Sequence, residues 1–271
     1  MSYTFPASAR VRAGQQGSPS PLPHLLCAML LLQESICVQG TGIPFDKQQL
    51  LRSGDYTFVS ELGHLLKLDD RILCVANYLV NFFYTFRSYV NYDRHVVCTA
   101  ALMLACKLND EKNYASNFAK QFYAMTCRIK NMQTPPPYES RHESENLEKI
   151  FKAELKILKT IQFDLEVDVP INHVDDLVHR LFSHLEDRAI LLNISRAFGN
   201  ECMRSIAPLC LHPRTVAVAC VLLGGVVCQL VNIEDFTGGR EAEWAARMVP
   251  GVEVNDIARA MKMILDALTT K

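Results

Sequence analysis

Apolar positions recur along this chain at spacings of three and four, and no stretch of any length alternates with a period of two. The pattern is most concentrated in Tyr92–Asp110, YDRHVVCTAALMLACKLND, where small and apolar residues follow an aspartate placed to cap a helix. A helix apolar on nearly every face has to be covered by neighbours, so this one belongs at the centre of a helical domain. Val97, Ala100, Leu104 and Lys107 share one of its faces, which puts a lysine at the end of a core stripe.

Helical periodicity predicts further elements on either side. Asp46–Lys67 carries apolar or aromatic residues at Leu50, Leu51, Phe58, Leu62, Leu65 and Leu66, a helical recurrence, and Asp69 or Asp70 caps a helix running to Phe86. Tyr114–Arg128 makes a fourth, and Pro135–Pro137 interrupt the chain before a fifth over His142–Gln162. That fifth helix carries the stripe Leu147, Phe151, Glu154, Leu158, Ile161, so a glutamate sits within an apolar seam. After an extended segment over Phe163–Pro170 a second set is expected at Val174–Leu185, Ile190–Ile206, Pro213–Leu230, Glu241–Met248 and Asn255–Leu268, with Gly238-Gly239 in a turn. The fold class is therefore all-α, with an extension over residues 1–44, a first five-helix domain over 45–166 and a second over 167–271.

The two sets repeat. A shift of 119 residues lays Val97 on Val216, Ala100 on Ala219, Met103 on Leu222 and Leu104 on Leu223. Ala105 and Cys106 then fall on Gly224 and Gly225, and Lys107 falls on Val226. One copy packs an apolar residue where the other keeps a charge, which marks Lys107 as a residue retained for something besides packing.

Composition narrows the function. Twenty-eight Lys and Arg against 29 Asp and Glu leave a net charge of −1, which argues against a nucleic-acid surface. Ten cysteines include no CxxC, and Cys74, Cys98, Cys106, Cys220 and Cys228 sit inside apolar helical runs, as buried thiols of a reducing compartment would. No zinc spacing is present, so neither a metal nor a cofactor is expected. Residues 6–23 are rich in Pro, Ser, Gly and Gln and read as disordered. The run Leu25–Leu32 behind Arg10 and Arg12 is too short to span a membrane, and Pro19, Pro21 and Pro23 separate it from those arginines, unlike a secretory leader. The sequon Asn193-Ile194-Ser195 falls within an expected helix.

These residues resemble a family. YDRHVVCTAALMLACKLND is similar to the third helix of the cyclin box, and AELKILKTIQFDLEVDVP to the fifth helix and its exit in the transcription-type cyclins. SIAPLCLHPRTVAVACVLLGG and EWAARMVPGVEVNDIARAMKMILDAL resemble the second cyclin fold of that group, so the likeness runs from about Asp46 to Leu268. It implies two tandem cyclin boxes and a regulatory subunit, not an enzyme, that binds and activates a cyclin-dependent protein kinase. In that family the third and fifth helices of the first box cradle one kinase helix. Lys107 and Glu154 would hydrogen-bond to it, with Leu104, Leu108, Phe151 and Leu158 as apolar partners. The RNA polymerase II tail would be the substrate and the nucleus the location, with no nucleic acid or membrane contacted directly. Asn109-Asp110 departs from the acidic pair usual after the lysine, and the first helix lacks the M-R-A-I-L docking motif of cell-cycle cyclins.

Other readings stay open on the residues alone. Lys107 could extend to water from a helix end, and Glu154 could pair with it inside the domain. The chain could be a cell-cycle cyclin, a helical scaffold that binds without activating, or a general-transcription-factor-like twin fold that binds nucleic acid.

Overall fold

The computed structural model describes residues 43–133, 136–186, 188–231 and 240–269. Most of the expected extension, Pro135 and the Gly238-Gly239 turn lie outside them. The described residues form helices α1 (Phe45–Leu65), α2 (Asp70–Phe86), α3 (Arg94–Leu108), α4 (Ala115–Ile129) and α5 (Ser140–Thr160). A second set follows as α6 (Ile171–Leu181), α7 (Ala189–Glu201), the short α8 (Ala207–Cys210), α9 (Pro213–Val227), α10 (Arg240–Met248) and α11 (Val254–Thr269). A single 3₁₀ turn, Cys202–Arg204, breaks the helix expected to run on to Ile206, and Pro208 near the start of α8 fits that restart.

α3 packs against α1, α2, α4 and α5, and α9 against α6, α7, α8 and α11, so each is the centre of its set. The 119-residue repeat holds down to the caps. Asp93 accepts from the His95 amide before α3, and His212 accepts from the Arg214 amide before α9. At the far ends Asp110 (φ 54°) and Gln229 (φ 58°) take the left-handed conformation. The following amides then reach back, Glu111 to the Cys106 carbonyl at 2.9 Å and Leu230 to that of Gly225 at 2.8 Å. The backbone solution is the same twice, while the side chains differ.

Those differences are steric. A Cβ on Gly224 would lie 2.5 Å from Ser195 Oγ, and one on Gly225 would lie 2.8 Å from Val231. Here α7 and the residues after α9 approach the helix backbone directly, and only glycine admits them. In α3 the matching Ala105 and Cys106 are both buried, so that crossing keeps room for a small side chain.

Polar contacts tie the two sets together. Asn81 of α2 donates through Nδ2 to the Met203 carbonyl at 2.8 Å and accepts at Oδ1 from Arg52 of α1 at 3.1 Å. Tyr56 donates to Glu201 Oε1 at 3.2 Å, and Arg204 donates to Ser53 Oγ at 3.0 Å. Within the first set, buried Asp55 joins α1 to α3 through Arg94 Nε at 2.7 Å and accepts from the Tyr89 hydroxyl at 2.9 Å. Burial pushes the Asp55 carboxyl up against the pull of Arg94, a balance that a buried pair of this kind must strike.

One expectation changes. In α5 the core side is Asn146, Ile150, Ala153, Glu154, Ile157 and Ile161. Of the expected stripe only Glu154 and Ile161 are buried, while Phe151 is 44 % exposed and Leu147 and Leu158 are half-buried. In α1, Leu50 and Leu65 face outward although Phe58 and Leu62 are in the core.

Candidate partner-binding groove

The displaced apolar stripe of α5 forms the floor of the candidate site. Leu147, Phe151, Leu155 and Leu158 follow at spacings of four, four and three, so they lie along one face beside the buried one. Phe151 and Leu155 are 44 % and 47 % exposed. An isolated exposed hydrophobe needs no explanation, but a row of them along one helix face does.

α3 supplies the opposite wall. Its last turn presents Lys107, whose Nζ lies 2.6 Å from Glu154 Oε1 and 5.9 Å from the centre of the Phe151 ring. The two charges are placed unequally, with 54 % of the Lys107 side chain exposed against 11 % of that of Glu154. The ammonium therefore stands at the surface above an aromatic face, held by a carboxylate that is nearly buried. Such a rim offers a cation for a partner's carbonyl or carboxylate, next to apolar area that gains from being covered.

The end of α3 is fixed by Asn109 and Asp110. Asn109 Nδ2 donates to the Ala105 carbonyl at 2.9 Å, closing a helix end that a carboxylate could not close in the same way. Asp110 occupies the left-handed position, which Asn and Asp tolerate better than most residues. These two residues shape the turn that follows Lys107.

Of the site residues expected from sequence, Lys107, Glu154 and Phe151 come together directly, and Leu108 and Leu158 lie half-buried at the edges. Leu104 is 4 % exposed and belongs to the core, so it supports the lysine-bearing face from within. Leu155 was missed, although its place four residues after Phe151 is a readable signal. At the far side Lys156 Nζ sits 4.6 Å from the Tyr92 ring centre, extending the pattern of a cation over an aromatic ring. Among the described residues no group of His, Cys, Asp or Glu is disposed to hold a metal, and no helix is long and apolar enough to cross a membrane.

Comparisons with known proteins bear on the family and the fold. The family model "Cyclin, N-terminal domain" matches residues 27–166, more than half of the 271-residue chain. The chain is 27% identical over 182 residues to cyclin pch1 of Schizosaccharomyces pombe, covering 66% of this chain and 51% of that protein. It is 23% identical over 210 residues to cyclin-K of Danio rerio, covering 77% and 47%. It thus spans about half the length of the curated relatives it matches. Among solved structures, a chain of the yeast RNA Pol II CTD kinase CTDK-1 complex aligns with a TM-score of 0.63 at 17% identity, covering 83% of this chain and 67% of that one. A viral cyclin from herpesvirus saimiri aligns with a TM-score of 0.59 at 13% identity, covering 92% and 96%. At those identities the structural likeness is one of fold. Tandem helical boxes, their repeated central helices and the matched residues make one conclusion: this chain belongs to the cyclin family.

Proposed function

We propose that this chain is the regulatory subunit of a cyclin-dependent serine/threonine protein kinase, of the class that phosphorylates the C-terminal domain of RNA polymerase II. The observation that carries the reading is the Lys107–Glu154 pair standing beside the exposed Phe151 and Leu155 on a cyclin-box surface. A kinase helix laid between α3 and α5 would cover the apolar floor and meet the lysine at its rim. Contact made only with the active arrangement of that helix shifts the kinase toward it, so the chain acts through a conformational equilibrium and performs no catalysis itself. The transcriptional class is supported by relatives named cyclin-K and cyclin-L1 and by the CTD kinase complex among the fold neighbours. The nucleus is the corresponding location.

The test is affinity capture with the tagged chain, identification of the co-purifying kinase, and assay of that kinase on a heptad-repeat peptide with and without the chain. Stimulation that is lost in the Lys107→Ala variant is the expected result. A kinase captured equally well by that variant would place the groove elsewhere, and capture without stimulation would make the chain a scaffold.

A further inference from the structure

The internal repeat gives the second box its own counterpart of the proposed groove, and that counterpart is exposed and apolar. α9 packs against α11 as α3 packs against α5. A shift of 107 residues lays Ile257, Ala260, Met261 and Ile264 of α11 on Ile150, Ala153, Glu154 and Ile157 of α5. All eight are buried, so the two helices turn the same side to their cores. Val226 and Met261 thus stand where the Lys107–Glu154 pair stands in the first box.

Beside them Val227 and Leu230, at and just past the end of α9, and Leu265 and Leu268 on α11 are between 38 % and 57 % exposed. Their first-box counterparts are Leu108, Glu111, Leu158 and Ile161. Of these Leu108 and Leu158 are half-buried, Ile161 is buried and only the charged Glu111 is exposed. Four exposed aliphatic side chains grouped on two packed helices mark a face that gains from being covered.

We infer that this face is covered by the chain's own N-terminal run Leu25–Leu32, docked on it as a helix. The run lies outside the described residues, and no charged residue interrupts it. The face matches it, having Val226 and Met261 where the first box keeps two charges. Leu25, Met29, Leu32 and Ile36 follow at spacings of four, three and four, the register of a helix lying in an apolar groove. The match to the cyclin family model begins at residue 27, inside the run, which makes the run part of the matched domain.

Reach permits the contact. The ten residues 33–42 span up to about 33–36 Å when extended. They join α1, which already touches the second box through Ser53 and Tyr56. A run tethered by so short a connection meets the face at an effective concentration of about millimolar, an advantage over any separate partner. With no charged anchor on either side, the contact draws its strength from apolar area and should be indifferent to salt.

The test is hydrogen exchange read by mass spectrometry on the full chain, with and without the co-purifying kinase. Protected amides are expected across Leu25–Leu32 in the chain alone, at low and high salt. Leu265→Asp should speed their exchange by about tenfold or more, the scale of one leucine uncovered. Val227→Asp, on the other helix, should act alike, so a folding defect in one variant does not decide the outcome. Conversely, Leu32→Asp should speed exchange at the end of α9 and along α11 while leaving the amides around Lys107 unchanged. Run amides that exchange as in a free peptide, or that ignore both face variants, would overturn the assignment. Protection that grows with protein concentration would overturn it in favour of a second copy, and protection of α11 that appears only with the kinase would overturn it in favour of the kinase.

Discussion

Lys107 and Glu154 share one ion pair but stand differently toward water, and that difference decides what each truncation does. Lys107→Ala leaves a carboxylate that is only 11 % exposed without its cation, an uncompensated burial costing about 1–3 kcal/mol. Glu154→Ala removes the buried charge and lets the half-exposed ammonium turn to solvent, so its cost should stay below about 1 kcal/mol, as for exposed pairs. Urea denaturation of the two variants should therefore rank Lys107→Ala as the less stable. Both should weaken kinase binding by about 2–5 kcal/mol once the site is covered, roughly thirty- to several-thousand-fold. Equal stability losses with undiminished binding would make the pair an internal strut. The lysine was legible in the sequence because the repeat supplies Val226 as its apolar counterpart. The closing hydrogen bond of Asn109 was not, because a side chain that caps its own helix looks from sequence like a lost charge.

At the scale of elements, α5 shows why part of the site could not be read from periodicity. The core and the exposed floor of the proposed groove are both apolar, and on α5 they are adjacent, so Leu147, Phe151 and Leu158 compete with Ile150, Ala153 and Ile157 for the same helical phase. The caps were legible because Asp69 and Asp93 satisfy backbone amides through their own side chains. The central helices give the sharpest test of packing. Among the described residues Ser195 Oγ is buried without a partner, at the point where a Gly224 Cβ would intrude. Gly224→Ala should cost about 1–3 kcal/mol by overpacking, and Ser195→Ala alone should be neutral or stabilising, since an orphan hydroxyl is lost. Together they should couple by about 0.5–3 kcal/mol in a double-mutant cycle. Strict additivity would mean that α7 and α9 do not meet there. Ala105→Leu at the matching position of α3 should also cost about 1–3 kcal/mol, and a silent result in a denaturant series would remove α3 from the centre of its set.

The whole molecule joins a first box, which carries the proposed groove, to a second box whose own central helix carries no charge at the matching position. One apolar core cluster runs through both, from Leu62 and Leu79 to Met203, Val221 and Ile264, and Asn81, Tyr56 and Arg204 cross the junction with hydrogen bonds. Such continuity predicts that the two boxes unfold as one unit. The chain has a single tryptophan, Trp244 on α10, whose ring meets Phe182 edge-on at 5.9 Å, so its fluorescence reports the second box alone. Fluorescence and far-ultraviolet circular dichroism should then give the same urea midpoint. Asn81→Leu should lower that midpoint by leaving the Met203 carbonyl buried without its donor, a loss of about 1–3 kcal/mol, without separating the two probes, while Arg52 keeps its bond to the Asn81 backbone carbonyl at 3.3 Å. The decisive arm adds the kinase. Its proposed groove lies wholly in the first box, yet at a hundredfold excess over Kd it should stabilise the fold seen by Trp244 by about 2.7 kcal/mol, because binding the native state stabilises whatever unfolds with it. A Trp244 midpoint that stays fixed while the circular dichroism midpoint rises would mean that the boxes melt separately, and that what happens at Lys107 is not felt across the junction.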